Sequence, residues 1–409
     1  MKYYPREKYL AQIRPFYDST DLIKVITGVR RCGKSTLLHC VAEELNAKGV
    51  DNDHLVFLDL DSMPFQKIKT PDVLEKVING KSPKEGIVYL FIDEIQNVKD
   101  FEPLINAYRE EERFSIFLTG SNSYLLSGEL ITKLTGRYLE FEMFPLTYDE
   151  YERMKDFYGI EKETDLLLEF NHYLREGGFP RLLFMKTEEE KRTYIHSLVQ
   201  EIFDKDVRYR VKIRSRETFE RVRDFMIGNF GSTFSLSTLT SALNHAGIKT
   251  TRNTVRNYID VLTDAKILYP CPRFDIKSKR ALSGERKYYL SDFAFYFFVS
   301  PDAHINFGPF LENCVYFYAR SYAYQVSVGK IGSLECDFIV RNLHHDYAFL
   351  QVAYTIADPK TEDREYRALE NIRDSSPKYV LTTDRLLQRR NGIHHVCLMQ
   401  FLVDQKQFC

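Results

Sequence analysis

Eight consecutive residues, Gly28-Val29-Arg30-Arg31-Cys32-Gly33-Lys34-Ser35, constrain this chain more than any other stretch. They follow a short apolar run at 22–27. They precede a segment of helical spacing at 34–46, in which Leu37, Leu38, Val41 and Leu45 recur before Lys48-Gly49 closes it. The two glycines permit a tight loop whose backbone N–H groups converge just ahead of a helix N-terminus, a geometry suited to phosphate. Further apolar runs at 55–60, 87–92 and 115–118, with a helical 101–112 between the last two, extend the alternation. Strands separated by helices imply an α/β fold with a parallel sheet covered on both faces.

The loop fits GxxxxGK[ST]. Backbone from Gly28, Val29, Arg30, Arg31, Cys32 and Gly33 would line the phosphates of ATP, and Lys34 would neutralise β- and γ-phosphate oxygens. The Ser35 hydroxyl would coordinate Mg2+, with Thr36 as a further contact. Arg30 and Arg31 can reach phosphate or pack at the surface. The run Val88-Tyr89-Leu90-Phe91-Ile92-Asp93-Glu94 is a buried strand ending in two carboxylates. Asp93 suits the Mg2+ shell, and Glu94 suits orienting and polarising an attacking water. The next strand runs into Thr119-Gly120-Ser121-Asn122. A polar residue at that tip can bridge γ-phosphate and water, and Thr119, Ser121 and Asn122 all qualify, with Ser121 preferred. Transition-state charge calls for an arginine. Arg137, in Leu134-Thr135-Gly136-Arg137, is the candidate, within the chain or in trans, against the reading of a structural salt bridge.

The segments GVRRCGKSTLL, YLFIDEIQNV and LTGSNSYLLSGELITKLTGRYLEFEMFPLTYDEY closely resemble the archaeal-type AAA+ ATPases of archaea and bacteria. Gly177-Gly178-Phe179-Pro180 is similar to the GGFP segment of their lid. The resemblance covers essentially the whole chain. It implies Mg-ATP binding at 28–36, Asp93 and Glu94, a winged-helix part, and a C-terminal domain of unknown function related to restriction-endonuclease-like folds. Cys32 stands where that family often has serine, and its thiol would expose the site to oxidation.

The 409 residues exceed one ordinary core. A P-loop AAA+ core is expected at 1–147 and a helical lid at 148–217, where the pattern is amphipathic and strand-free. A winged-helix domain is expected at 218–286. There Leu236, Leu239 and Leu243 mark one helix. Val255, Tyr258, Ile259 and Leu262 mark a second, which turns Arg252 and Arg256 outward before a wing strand at 267–269. A mixed α/β domain at 287–409 completes the chain.

The formal net charge of −1 conceals an asymmetry: residues 205–287 carry 18 basic and 8 acidic side chains. The five cations of Arg208, Arg210, Lys212, Arg214 and Arg216 alternate along that segment, and Lys277, Lys279, Arg280, Arg286 and Lys287 would form a basic edge on the wing. The surplus suits the phosphate backbone of double-stranded DNA. Winged helices also dock on proteins, so a protein partner stands as the alternative.

A nuclease of the resembled fold would use an acid on a helix, an Asp at a strand tip and (D/E)xK on the next strand. Glu312 and Asp337 fit the first two, but the third falls at Gln351-Val352-Ala353. Alanine can neither stabilise hydroxide nor meet phosphate charge, and Arg364 is only a distant substitute. A degenerate fold used for binding is therefore expected. Seven cysteines without a CxxC pair fit reduced thiols, and the doublets His344-His345 and His394-His395 lack partners at ligand spacing. No apolar run reaches a membrane span, and the first residues lack a signal-peptide core, so a cytoplasmic protein is expected. Together these features describe an ATP-hydrolysing switch or motor coupled to DNA. A nucleotide-gated protein-interaction module and an ATP-dependent nuclease are the alternatives.

Overall fold

The apolar runs of the first third assemble into a five-stranded parallel sheet. In the computed structural model, which describes residues 2–120, 136–207, 215–276, 278, 280–300, 304–332 and 334–409, these are β1 (Ile23–Thr27), β2 (Leu55–Asp59), β3 (Val88–Asp93), β4 (Phe114–Thr119) and β5 (Tyr138–Glu142). Their spatial order is β2-β3-β4-β1-β5. Every residue of β1, β3 and β4 is buried, as central strands covered on both faces must be. Helices α1 (Glu7–Ile13), α2 (Lys34–Ala47), α3 (Pro71–Lys81) and α4 (Glu102–Glu110) alternate with them. Leu74, Ile78, Ile105 and Tyr108 of the last two join the strand residues in one apolar core.

In-register residues of a parallel sheet project from one face. Phe57, Phe91 and Phe117 pair across β2, β3 and β4 and stack with ring centroids 5.7 and 4.9 Å apart. His39 of α2 lies 4.2 Å from Phe57, and Tyr3 stacks 5.2 Å from His39. This aromatic column fixes α2 on the sheet. Because β3, β4 and β1 are neighbours, the turns that follow them, at Glu94, Gly120 and Gly28, gather at one end of the sheet.

Residues Met1–Phe144 with Asp264–Lys266 form one compact unit, and Pro145–Thr263 with Ile267–Cys409 form another. The second begins with α5 (Tyr148–Tyr158), α6 (Leu166–Glu176) and α7 (Glu188–Ile202). Between α6 and α7 the two glycines permit very close approach. Gly178 N donates to Asp292 Oδ2 at 2.6 Å, while Gly178 O accepts from Leu146 N at 2.7 Å. A Cβ at Gly177 (φ +83°) would stand 2.1 Å from Asp292 Oδ1, and one at Gly178 would stand 2.2 Å from Leu146 O.

Three helices follow, α8 (Arg216–Gly228), α9 (Leu236–His245) and α10 (Arg252–Asp264), and then a hairpin of β6 (Leu268–Asp275) and β7 (Arg280–Leu290). The hairpin is not a free wing. β6 runs parallel to β8 (Gln325–Ile331), pairing Arg273 with Val328 and Asp275 with Lys330. That pairing joins it to β9 (Leu334–Arg341), β10 (Tyr347–Val352), β11 (Lys378–Thr382), β12 (Arg389–Arg390) and β13 (Ile393–Cys397) in one eight-stranded mixed sheet, ordered β12-β13-β11-β10-β9-β8-β6-β7. The division read between 286 and 287 falls inside β7. Helices α11 (Ala294–Val299), α12 (Phe307–Ser321), α13 (Pro359–Glu370) and α14 (Leu398–Val403) complete the unit.

Candidate active site

β1 delivers the chain to Gly28, whose φ of 149° few side chains tolerate and whose Cβ would lie 2.2 Å from Met143 O. Arg31 (φ 67°) and Gly33 (φ 110°) are also left-handed, and α2 starts at the next residue. Alternating hand turns successive N–H groups into one concavity ahead of the helix dipole. Lys34 is buried, and its ammonium donates back to Gly28 O at 2.9 Å and Val29 O at 3.2 Å. Ser35 is exposed and Thr36 half-buried in the first helical turn. Arg31 is exposed, and the Arg30 guanidinium lies 3.9 Å from Asp61.

Cys32 is a correction to the sequence reading. Its side chain is fully buried, it donates weakly to Met143 O at 3.6 Å, and burial pushes its thiol pKa upward. A protonated, inaccessible thiol is a packing residue and not an oxidation-prone one.

The acidic pair is built by two strands. β3 ends at buried Asp93, and Glu94 takes a left-handed turn (φ 58°). Thr119 at the end of β4 donates its hydroxyl to Asp93 Oδ1 and accepts the Glu94 N–H at 3.1 Å. Gln96 Nε2 donates to Glu94 Oε2, while Gln96 Oε1 is buried without a hydrogen-bond partner among the described residues. Burial raises the Glu94 pKa above the ordinary carboxylate range; Lys34 and Arg30 oppose the rise and Asp93 adds to it. Glu94 therefore feels both loop cations, which brings 28–36, Asp93 and Glu94 to one locus. Thr119, one of three candidates on that strand tip, is placed there too. Ser121 and Asn122 lie outside the described residues. Nothing in a lone glutamine after an acidic pair marks Gln96 in sequence.

The donor set fits Mg2+. Asp93 supplies a hard carboxylate oxygen, Ser35 an exposed hydroxyl, and Gln96 Oε1 is a buried acceptor lacking a donor among the described residues.

Arg137 is not brought to this locus. It precedes β5, where Tyr138 pairs with Ile23 at the start of β1, about five residues or roughly 16 Å of strand from Gly28. It is half-exposed and lies 3.4 Å from Glu110. That ion pair matches the salt-bridge reading, and the position does not support action on nucleotide within the same chain.

Lys287 is a second correction. The charge pattern places it on a basic edge, but it is buried, with Nζ 3.0 Å from both Glu312 and Glu335. Tyr289 donates to Glu312 Oε2 at 2.7 Å, and Asp337 Oδ2 accepts the Val352 N–H at 2.8 Å. Burial pushes the Asp337 carboxyl well up, with Glu312 adding and Lys287 opposing. Glu312, Asp337 and Gln351 do converge, and the ammonium among them comes from β7, not from the third motif strand. Arg364 pairs with its neighbour Glu365. Of the other basic-segment residues, Arg252, Arg256, Arg280 and Arg286 are exposed, whereas Lys205, Arg216 and Arg223 pair with Glu201, Glu220 and Asp224. Arg208, Arg210, Lys212, Arg214, Lys277 and Lys279 lie outside the described residues.

Among the described residues, no helix is long and apolar enough to cross a membrane. Residues 20–152 match a family described as "AAA domain", and residues 167–301 match a "Domain of unknown function (DUF8612)". An uncharacterized protein of Haemophilus influenzae is 32% identical over 400 residues, spanning 97% of this chain and 98% of its own length. One from Methanocaldococcus jannaschii is 28% identical over 362 residues, 85% of this chain and 78% of its own. A Walker-type ATPase of Pyrococcus abyssi shares the fold with a TM-score of 0.50 at 16% identity, over 73% of this chain and 96% of that one. With a phosphate-type loop, an acidic strand end and a relative matching it nearly end to end, the chain belongs to a family of AAA-domain P-loop ATPases that includes the Haemophilus influenzae protein.

Proposed function

We propose that the chain binds and hydrolyses Mg-ATP at the locus of Gly28–Thr36, Asp93, Glu94 and Thr119, and that this cycle acts as a switch coupled to duplex DNA. The observation that carries the ATPase reading is the Thr119 bridge, which holds the Asp93 carboxylate and the Glu94 backbone in one hydrogen-bonded unit. Lys34 and the loop N–H groups hold the phosphates, and Glu94 orients and deprotonates the water. Mg2+ when bound neutralises phosphate charge, with Asp93 and Ser35 as its protein ligands. The DNA reading rests on α10, a helix whose Arg252 and Arg256 are exposed while Val255, Tyr258, Ile259 and Leu262 are buried.

A protein partner is the second reading. The observation favouring it is that Lys205, Arg216, Arg223 and Lys287 are engaged by carboxylates, which leaves fewer cations for phosphate. Steady-state ATP hydrolysis with and without duplex DNA, at low and moderate salt, separates the two, with Glu94→Gln as the blank. DNA stimulation that fades with salt supports the first. Turnover indifferent to DNA supports the second, and turnover equal in wild type and blank overturns the site. Lys34→Ala is expected to abolish ATP binding in equilibrium dialysis.

A further inference from the structure

The phosphate loop is held from behind by a residue far from it in sequence. Arg6, immediately before α1, is 5% exposed. Its Nη1 donates to Cys32 O at 3.0 Å and to Phe144 O at 2.7 Å. Its guanidinium lies 4.7 Å from the Tyr9 ring centroid, and the Tyr9 hydroxyl accepts the Phe144 N–H at 3.1 Å. Arg6 and Tyr9 thus grip both polar groups of the Phe144 backbone, and Arg6 also grips the loop.

The preceding residue, Met143, packs on the same loop. Met143 N donates to Thr27 O at 2.8 Å, Met143 O lies where a Gly28 Cβ would be, and Met143 Cε is 3.4 Å from the Cβ position of Gly33. Residues 143–144 therefore form the floor beneath the loop, and Arg6 bolts the two together.

The consequence follows from peptide geometry. In a trans peptide the carbonyl and the following N–H point in opposite directions. A cation fixed on Cys32 O therefore turns the Gly33 N–H the other way, into the concavity made by Arg31 and Gly33. The geometry points to Arg6 as the positioning residue of the phosphate loop: it sets the Cys32–Gly33 peptide plane so that nucleotide meets a preformed set of N–H donors. This inference rests on the reading that the loop takes phosphate. Lysine can carry the charge, but its ammonium lacks the guanidinium plane that lies against Tyr9 while Nη1 donates to both carbonyls.

The test is equilibrium dialysis with ATP and with ADP, together with steady-state hydrolysis, on wild type, Arg6→Lys, Arg6→Met and Tyr9→Phe in the full chain. The expected result is nucleotide affinity about tenfold to a hundredfold weaker in Arg6→Met. Arg6→Lys should be intermediate and Tyr9→Phe mildly weakened, with KM raised and kcat within about threefold of wild type. Should Arg6→Met fail to fold, Arg6→Lys and Tyr9→Phe carry the same comparison. Wild-type affinity in the folded variants, or lowered kcat with unchanged KM, overturns the positioning role while leaving the site intact. Wild type that itself binds no nucleotide overturns the reading of the loop.

Discussion

The Thr119 hydroxyl donates a hydrogen bond to Asp93 Oδ1. The same oxygen accepts the Glu94 N–H at 3.1 Å, so one side chain ties the Asp93 carboxylate to the Glu94 backbone. Thr119→Val keeps the shape and removes both bonds. ATP affinity should stay within about threefold of wild type, while kcat falls about tenfold or more, as for loss of a group that orients the reacting water. Dialysis and steady-state hydrolysis read the two quantities separately, and an unchanged kcat would falsify the bridging role.

In the proposed mechanism Glu94 must be ionised to take up a proton from water, and burial raises its pKa. Activity is therefore present above that pKa and lost as pH falls through it. The acid limb of kcat should lie above the ordinary Glu value of about 4.3. Glu94→Gln should bind ATP, turn over on the order of a hundredfold slower, and show no such limb. A wild-type limb in that variant would assign it to another group.

Asp292 is pushed up to about 7 by burial, against the N–H groups of Ala294 and Gly178. The folded chain then keeps its proton to about pH 7, whereas the unfolded chain releases it near pH 4. Between those values the unfolded state binds fewer protons, so stability falls as pH rises from about 4 to 7 and levels off above. The stability advantage of wild type over Asp292→Asn should shrink across that window, by up to about 4 kcal/mol. Chemical denaturation at pH 4.5, 6 and 7.5 checks it. A constant difference would refute the buried titration.

Gly177→Ala places a methyl 2.1 Å from the same carboxylate, at φ +83°. Destabilisation of about 2 kcal/mol or more is expected, and combination with Asp292→Ala should relieve part of it. Strict additivity in the double-mutant cycle would show that the two residues do not press on one another.

Lys287→Met leaves Glu312 and Glu335 without their ammonium. Removing one partner of a buried pair costs about 3–5 kcal/mol. Lys287→Met with Glu312→Gln should recover part of that loss, because one carboxylate charge goes with the ammonium. A single variant as stable as wild type in urea would place this lysine in solvent after all.

The loop and the acidic pair were legible because each is contiguous: 28–35 and 93–94 carry their chemistry at fixed spacing next to a strand. What escaped is what distance in sequence hides. Arg6 reaches partners 26 and 138 residues away, and no local pattern marks it. β5 is an edge strand of Tyr138-Leu139-Glu140-Phe141-Glu142, only partly buried, so it lacks the unbroken apolar run that announced β1 and β3. Lys287 was miscounted because a charge tally treats every cation as solvated, whereas this one sits on a strand whose face turns inward on α12. The central strands and α2 were read to within about a residue, since burial on both faces writes itself directly into composition.

The parallel pairing of β6 with β8 also decides how this chain can be cut or traded. A hairpin bonded through its backbone to a later strand cannot leave with the three helices before it without baring a row of amide groups along β8. A cut that spares this sheet must therefore leave the stretch from α8 to β13 whole, and the boundary between the compact units at Phe144 and Pro145 does so.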